Sequence, residues 1–548
     1  MKLSGRGSFS ALVAGSLLVA LMLAVPIFSI AANLLLGGAG DTWRHLASTV
    51  LPDYILNTLI LCAGVGAGVI VVGVSTAWLV SIHDFPGRRM FEWALVLPLA
   101  VPAYVMAYAY TDLLQFVGPV QTWLRETFNL APGAYWFPDI RTVGGACAVF
   151  VFVLYPYVYL LARAAFVERA GGMLEAGRSL GLGPWENFWR VSLPLARPAI
   201  AAGASLALME TLADYGAVTY FGVPTFTSGI YRAWFSLGDR VAAAQLAALL
   251  LGFVALVLFV ERVTRGRARF HNTTGRSRPH PGRRLHGVKA AGAVAVCLLP
   301  LALGFLVPAG ALLQMALSEG DAQFGARFVD LARNSFVLAA ATAVAAVIVA
   351  VLLAYAARLS GQWLPRTVNR LVGLGYAVPG SVIAVGILIP VTRLDVWLAV
   401  QVQAITGHAP GLLLTGGIAT MVYAYLVRFL TVSLQTVEAS LGKITPTMDD
   451  AARSLGFGHA ATLRRVHLPL LRAGLLTAGL LVFVDVMKEL PATLVMRPFN
   501  FDTLATQAHA LASDERLAEA STAALAIVVV GVLPLILLSW QIARSRPK

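Results

Sequence analysis

The segment EAGRSLGLGPWENFWRVSLPLAR, from Glu175 to Arg197, is written a second time as DAARSLGFGHAATLRRVHLPLLR, from Asp450 to Arg472. The copies start 275 residues apart (450 − 175), and 12 of the 23 aligned positions are identical. Both copies lie in polar stretches between long apolar segments. Identity this dense, at one spacing, exceeds what shared hydrophobicity produces and indicates an internal duplication.

The composition indicates an integral membrane protein. Of 548 residues, 58% are hydrophobic and 12% are charged, and the mean hydropathy is +0.77. A soluble domain could not cover that apolar content with polar surface. A helix that crosses the hydrocarbon core needs about 20 apolar residues. The sequence therefore predicts an all-α membrane protein with about 12 transmembrane helices, at 9–36, 54–82, 91–117, 143–164, 198–221, 241–260, 288–317, 331–358, 368–391, 411–434, 474–495 and 517–542.

These runs form two predicted homologous six-helix halves, 1–262 and 289–548, joined by a basic linker, 263–288. Beside membrane spans, the positive-inside rule places such a linker in the cytoplasm, close to anionic lipid headgroups. Alternation of the spans then puts both termini and both repeated segments in the cytoplasm. No nucleic-acid partner is predicted, because no recognition fold accompanies the charge. The first run is too long for a signal-peptide core, so we predict an uncleaved first helix.

The duplication extends beyond the loops. Asn57 matches Asn334, and Pro102 matches Pro379, both at an offset of 277. Because the prolines recur at matching places inside spans, we predict that they produce functional kinks. Parallel repeats of this kind pack around a pseudo-two-fold axis along the membrane normal and enclose a central path.

Each repeated loop is predicted to contain two short helices joined at a glycine. The first helix should run from about residue 173 to 180, and Gly181 should take the left-handed conformation that ends it. Gly456 should do the same in the second copy. A single loop of this type could simply pack under its own bundle as an amphipathic hairpin. Two copies favour docking onto a symmetric, dimeric partner.

The two loops resemble the cytoplasmic loop of ABC importer permeases, in which a coupling helix sits in a groove of the ATPase subunit. The resemblance implies a type I ABC importer permease-like fold, with docking loops at about 168–197 and 440–472. The positions that match the family's docking motif are Glu175, Ala176, Gly177, Gly181, Leu193 and Pro194 in the first copy and Asp450, Ala451, Ala452, Gly456, Leu468 and Pro469 in the second.

Two stretches, LADYGAVTYFG at 212–222 and KELPATLVMRPFNFDTLA at 488–505, resemble the fused, two-half permeases of ferric iron uptake systems. Fused permeases for thiamine share the core motif, as do relatives for sulfate, molybdate, phosphonate or polyamines. The resemblance implies a bacterial inner-membrane protein, an ATPase homodimer on its cytoplasmic side, and a periplasmic or lipid-anchored binding protein that delivers the substrate.

Acidic residues inside predicted spans are the candidates for the translocation path. Glu210 and Asp214 are spaced i and i+4, and Asp485 and Glu489 repeat that spacing at an offset of 275. We predict that each pair shares one helix face. A charge deep in hydrocarbon costs at least about 2.5 kcal/mol, so such residues normally face a bundle interior or a cavity. The alternative is that Lys488 neutralises its neighbours and that the acids only fix helices.

Metal-ligand patterns are weak in this sequence. The nine histidines show no paired spacing, and the three cysteines lie singly in apolar runs, so no metal site is predicted. Phenolic oxygens could bind a ferric ion, but tyrosine is also common at membrane interfaces and helix contacts. The tyrosines in question are Tyr104, Tyr108, Tyr155, Tyr157, Tyr215, Tyr220, Tyr423 and Tyr425.

The chain contains no Gly-x4-Gly-Lys-Ser/Thr loop and no defensible nucleophile and base pair. We therefore expect a transport subunit without catalytic residues or a cofactor of its own, and ATP with magnesium bound by the separate ATPase. Two rivals remain. One is a proton-coupled secondary transporter that uses the intramembrane acids, and the other is a membrane scaffold that docks a cytoplasmic enzyme through the loops.

Overall fold

A computed structural model describes residues 5–35, 41–179, 181–265, 283–318, 325–360, 363–442 and 444–544, without the side chains at 5–12, 34–35, 168–179, 184, 265, 283, 446 and 537–544. The predicted all-α fold is confirmed. Helices of the first half are α1 (Gly5–Leu35), α2 (Asp41–Thr49), α3 (Leu51–Ile82), α4 (Arg88–Ala94), α5 (Ala103–Leu114), α6 (Pro119–Phe128), α7 (Val143–Ser179), α8 (Pro184–Asn187), α9 (Leu193–Ala213), α10 (Gly216–Tyr220), α11 (Phe226–Tyr231) and α12 (Arg240–Arg265).

The second half repeats this pattern of long helices interrupted by short ones. Its helices are α13 (Gly287–Leu301), α14 (Val307–Ser318), α15 (Ala326–Ser360), α16 (Trp363–Val372), α17 (Gly380–Thr406), α18 (Ala419–Leu441), α19 (Pro446–Ser454), α20 (His459–Thr462), α21 (Leu468–Met487), α22 (Pro491–Met496), α23 (Leu504–Ser513) and α24 (Leu517–Arg544). Two-residue strands β1 (His83–Asp84) and β2 (Arg283–Arg284) pair in parallel, which attaches the end of the basic linker to the loop after α3. Residues 266–282 of the linker lie outside the described part.

Ten helices in the described ranges are long and apolar enough to cross a membrane, and a bent pair, Arg88–Ala100 with Ala103–Phe128, brings the number to eleven. The predicted span 411–434 corresponds to α18, which carries Arg428 and Glu438 and is not among these apolar candidates. The chain is thus a multi-pass helical membrane protein.

The predicted kinks are present at both prolines. Pro102 and Pro379 have nearly the same backbone angles, φ −61°, ψ 144° and φ −59°, ψ 144°. In each half a short 3₁₀ turn precedes the proline, and a new α-helix begins directly after it. Proline lacks the N–H that would continue the helix and holds the preceding residue in an extended conformation. The predicted span 368–391 was wrong for this reason, because the long helix begins only after Pro379.

The described chain divides into two compact units that do not follow chain order. One contains residues 1–40, 230–248 and 324–507, and the other contains 41–229, 249–323 and 508–548. In the first unit α1 packs against α15 and α17, and in the second α14 packs against α24. The division into sequence halves 1–262 and 289–548 remains a prediction about the repeat. Each compact unit draws helices from both halves.

Corresponding hydrogen bonds in the two units have the geometry expected of a duplication. The side-chain amide of Asn57 donates to the carbonyl of Pro224 at 3.0 Å, and that of Asn334 donates to the carbonyl of Asp502 at 3.0 Å. Each bond ties the start of a long helix to a loop about 167 residues later. The repeated sequence motif therefore corresponds to a repeated structural contact.

Candidate functional site

The glycines of the repeated loops have the predicted conformation. Gly181 follows the end of α7 with φ +81°, and Gly456 follows the end of α19 with φ +78°. After each glycine the next short helix begins three residues later, at Pro184 and His459. Left-handed backbone is accessible to glycine without steric cost and ends a helix by redirecting the chain.

The helix before the first glycine differs from our prediction. No separate short helix begins near residue 173, because α7 continues without a break from the membrane span to Ser179. In the second half α18 and α19 are separate, and Thr445 between them has an extended backbone, φ −71°, ψ 150°. Pro446 follows Thr445 and disfavours the helical conformation there, whereas Gly171 stands at the matching position of the first copy.

A π-helical turn recurs after both short helices, at Phe188–Ser192 and Leu463–His467. The two turns are 275 residues apart, the same offset as the sequence repeat. Each leads directly into the Leu-Pro pair that begins α9 or α21. A proline at that point removes one backbone donor and crowds the carbonyl four residues earlier, so the helix widens locally. Turns of this type occur frequently at functional sites.

The structure places the second set of predicted docking residues on an exposed turn. Asp450, Ala451 and Gly456 are exposed, whereas Ala452 is only 3% exposed and packs inward. Leu193 and Leu468 are half-buried, and Pro194 and Pro469 are exposed at the starts of their long helices. The side chains of Glu175, Ala176 and Gly177 lie outside the described residues. Docking by these positions stays a prediction.

A polar network fastens the second loop to α15. The guanidinium of Arg358 donates to Asp449 Oδ2 at 2.8 Å and to the carbonyls of Leu441 and Ile444 at 2.9 and 3.0 Å. His467, fully buried in the π turn, has Nε2 2.7 Å from Asp449 Oδ1. The network joins α15, α18, α19 and the π turn.

In the first loop, aromatic side chains connect the π turn to α3 and α7. Trp78 on α3 packs against Phe188 of the π turn at 4.9 Å between ring centroids and against Phe166 of α7 at 5.3 Å. At an offset of 277, Trp78 corresponds to Tyr355 and Ser81 to Arg358. Among the residues whose side chains are described, the contact of the first loop is aromatic where that of the second is polar.

The acidic pairs do not share helix faces as predicted. Helix α9 ends at Ala213 and α21 ends at Met487, so Asp214 and Glu489 lie beyond the helices that carry Glu210 and Asp485. The reason is that each second acid caps a new short helix. Asp214 Oδ1 accepts the backbone N–H groups of residues 217 and 218 at 2.9 and 3.1 Å.

Glu489 repeats this cap and adds an ion pair. Its carboxylate accepts the N–H groups of residues 492 and 493 at 3.0 and 3.1 Å, and Arg428 Nη1 lies 3.3 Å from Oε1. Lys488 Nζ lies 2.9 Å from Asp485 Oδ1. In the second half the acids therefore have the cationic partners that the architectural alternative requires. Whether any of the four acids contacts substrate stays a prediction.

Asp214 has a different environment, formed largely by phenols. In the part of the chain that the structure describes, Asp214 forms no ion pair. The hydroxyl of Tyr108, a buried residue of α5, lies within electrostatic range of its carboxylate and 2.7 Å from His509 Nδ1. Burial lowers the pKa of His509 on α23 to about 4, which keeps the ring neutral near pH 7.

Arg428, Arg358 and His509 were not among the residues singled out from the sequence. Arg428 had a usable signal, because an arginine in the middle of a predicted span is as costly as an acid and calls for a partner. Arg358 looks like an ordinary basic residue at a helix end, and His509 is solitary in the sequence. Only the folded chain brings these two to their partners.

A multi-pass helical bundle with two structurally repeated loops is the architecture of a transport permease. Residues 69–266 match the family model of the binding-protein-dependent transport system inner membrane component. The chain is 27% identical over 495 residues to the Fe(3+)-transport system permease protein FbpB 2 of Haemophilus influenzae, covering 89% of this chain and 90% of that protein.

Two single-half relatives align with less of the chain. The sulfate transport system permease protein CysT of Escherichia coli is 25% identical over 250 residues, which are 44% of this chain and 87% of the relative. The molybdenum transport system permease protein ModB of Escherichia coli is 27% identical over 206 residues, which are 36% of this chain and 87% of the relative. The family match and the alignment over 89% of the chain support a binding-protein-dependent ABC permease that resembles the fused ferric iron permeases.

Proposed function

We propose that this permease imports ferric iron. The observation that carries the proposal is the alignment with a ferric iron permease through both halves of the chain, whereas the sulfate and molybdenum permeases align with less than half of it. Asp214, which forms no ion pair among the described residues, and the phenol of Tyr108 near it are oxygen donors that suit a metal cation better than an anion.

The proposed complex contains this chain, a cytoplasmic ABC ATPase homodimer and a periplasmic or lipid-anchored binding protein. It lies in the bacterial inner membrane with both termini and both docking loops in the cytoplasm. ATP with magnesium is bound and hydrolysed by the ATPase. Closure of the ATPase dimer moves the two loops, and the long helices attached to them switch the permease between outward-facing and inward-facing states.

Radiolabelled uptake in a deletion strain tests the substrate. Cells lacking this chain and complemented with it, together with its ATPase and binding protein, should regain ⁵⁵Fe(III) uptake but not uptake of labelled thiamine, sulfate or molybdate. Restoration of one of the other solutes without iron would refute the assignment.

Reconstituted vesicles separate the pump from its rivals. Iron transport should require ATP and the ATPase subunit, and it should stop when the catalytic glutamate of the ATPase is replaced. Transport driven by a proton gradient without nucleotide would establish the secondary transporter instead. Binding of an ATPase without any solute movement would establish the scaffold.

A further inference from the structure

Tyr108 lies at the centre of a group formed by three other phenols, a histidine and Asp214, in the unit that contains residues 41–229 and 508–548. We call this group the tyrosine cluster, and its members are Tyr104, Tyr108, Tyr215, Tyr220, His509 and Asp214. The Tyr220 ring packs edge-on against Tyr108 at 4.6 Å, and the Tyr215 ring lies 5.8 Å from His509. The cluster draws on α5, the α9–α10 junction and α23, so it exists only in the folded chain.

The duplication provides an internal comparison, because none of the four aligned positions in the other unit carries a phenol, although Tyr425 lies near Glu489 there. The residue-by-residue alignment of the two units follows from the matching prolines before α5 and α17 and from the matching caps of α10 and α22. At offsets of 277 for α5 and 275 for α10, the residues that replace Tyr104, Tyr108, Tyr215 and Tyr220 are Ser381, Val385, Leu490 and Val495.

The acidic residues of the two units also differ in their ion-pair partners. Glu489 is only 5% exposed and is neutralised by Arg428 at 3.3 Å. Arg428 corresponds to Leu160 at the offset of 268 that aligns Tyr155 with Tyr423. Both acids keep the helix cap, so capping alone does not explain why Glu489 is paired with an arginine and Asp214 is not. In the phenol-rich unit the arginine, Arg141, lies instead over the ring of Tyr220, at 5.0 Å from its centroid.

Oxygen donors of this kind suit a small, highly charged cation. Carboxylates and phenolates are hard ligands that match hard metal ions, and tyrosine binds ferric iron directly in some haem proteins. A buried carboxylate without an ion-pair partner is costly, so it either takes up a proton or attracts a cation. Asp214, Tyr215 and Tyr220 are all half-buried, so part of the cluster remains open to a ligand.

We propose that the tyrosine cluster is a transient binding site for the trivalent cation in transit, and that only one of the two duplicated units has such a site. The inference rests on the proposed function and deepens it. Coordination replaces a phenol O–H bond by an O–Fe bond, so each coordinating tyrosine releases one proton. That proton leaves to water, and His509, 2.7 Å from the hydroxyl of Tyr108, positions the phenol through its neutral ring.

Direct binding is measured on the full chain with its ATPase in lipid nanodiscs, titrated with ferric nitrilotriacetate. Bound phenolate should give a visible phenolate-to-iron charge-transfer band. Tyr108→Phe and Asp214→Asn should each weaken the iron affinity at least tenfold. Asparagine is a good capping residue, so Asp214→Asn keeps the cap while it removes the charge.

Matched controls are Tyr110→Phe and Tyr425→Phe. Tyr110 lies on the same helix as Tyr108, but its hydroxyl donates to the carbonyl of Leu303 at 2.6 Å. Tyr425 belongs to the other unit and bonds to Thr493 at 2.5 Å. Both variants should keep the band. Wild-type affinity in Tyr108→Phe and Asp214→Asn, or no band in a wild-type complex that transports iron, would overturn the site. A wild-type complex that transports no iron would instead overturn the proposed function.

Discussion

At the scale of single residues, backbone conformation and charge decide what each repeated position can do. Gly181 and Gly456 were predictable because a glycine after a helix has a specific backbone role. Asp214 and Glu489 were recognised as unusual, but their capping role was not, because a short helix of five or six residues has no periodic signal in the sequence.

Gly456→Val tests the left-handed turn. A side chain at φ +78° costs about 1–2 kcal/mol and more when β-branched, although the added Cβ would meet open space. We expect ATP hydrolysis to continue with little transport, measured as the ratio of iron moved to phosphate released. Gly458→Ala is the control, because Gly458 has φ −74° and is equally open. Equal coupling ratios in both variants would contradict the prediction.

Arg428→Met tests the buried ion pair with Glu489. Removing one partner of such a pair leaves an unpaired buried charge and costs about 3–5 kcal/mol. We expect a lower melting temperature and lower yield in detergent. The double variant Arg428→Met with Glu489→Gln should recover most of the loss, because no net charge stays buried and the amide oxygen can still cap α22. A double variant no more stable than Arg428→Met would show that the pair is unimportant.

At the scale of elements, the long helices were predicted well and their interruptions poorly. Apolar runs of about 20 residues are a strong signal. The ends depend on events that hydropathy does not report, such as the Pro379 break that starts α17, or the continuation of α7 to Ser179. The polar attachment of α19 was also invisible, since Arg358 and Asp449 are 91 residues apart in the chain.

Arg358→Gln tests that attachment. The guanidinium makes charged hydrogen bonds to Asp449 and to two carbonyls, and each such bond contributes about 1.5–3 kcal/mol. We expect faster hydrogen exchange in 446–454 and weaker coupling of hydrolysis to transport. Arg464→Gln, at an exposed position in the same loop, is the control. Unchanged exchange in Arg358→Gln would show that the network does not hold the loop.

At the scale of the whole molecule, the sequence revealed the repeat but not how the helices of the two halves pack together. The offset of 275 predicts two related halves. Sequence similarity between the halves does not show which helices pack together. The packing of α1 with residues 324–507 and of α14 with α24 could therefore not be predicted.

Splitting the chain within residues 266–282 tests whether each compact unit needs helices from both sequence halves. Each compact unit needs helices from both sides of the cut, so neither fragment should accumulate alone. Co-expressed fragments should be recovered as a pair and should restore iron uptake. An uncut chain with a protease site at the same place is the control. Stable accumulation of either fragment by itself would show that one sequence half can fold without helices from the other.

Because α1 packs against helices of the second half, it is synthesised long before its packing partners. Helix α1 ends at Leu35, and its packing partner α15 begins at Ala326, about 290 residues later. At about 5–20 residues per second, the ribosome needs roughly 15–60 s to supply that partner. During this interval α1 must wait in the bilayer as an unaccompanied span. Its sequence from Val13 to Asn33 is strongly apolar and carries no charged residue, which suits a helix in contact with lipid.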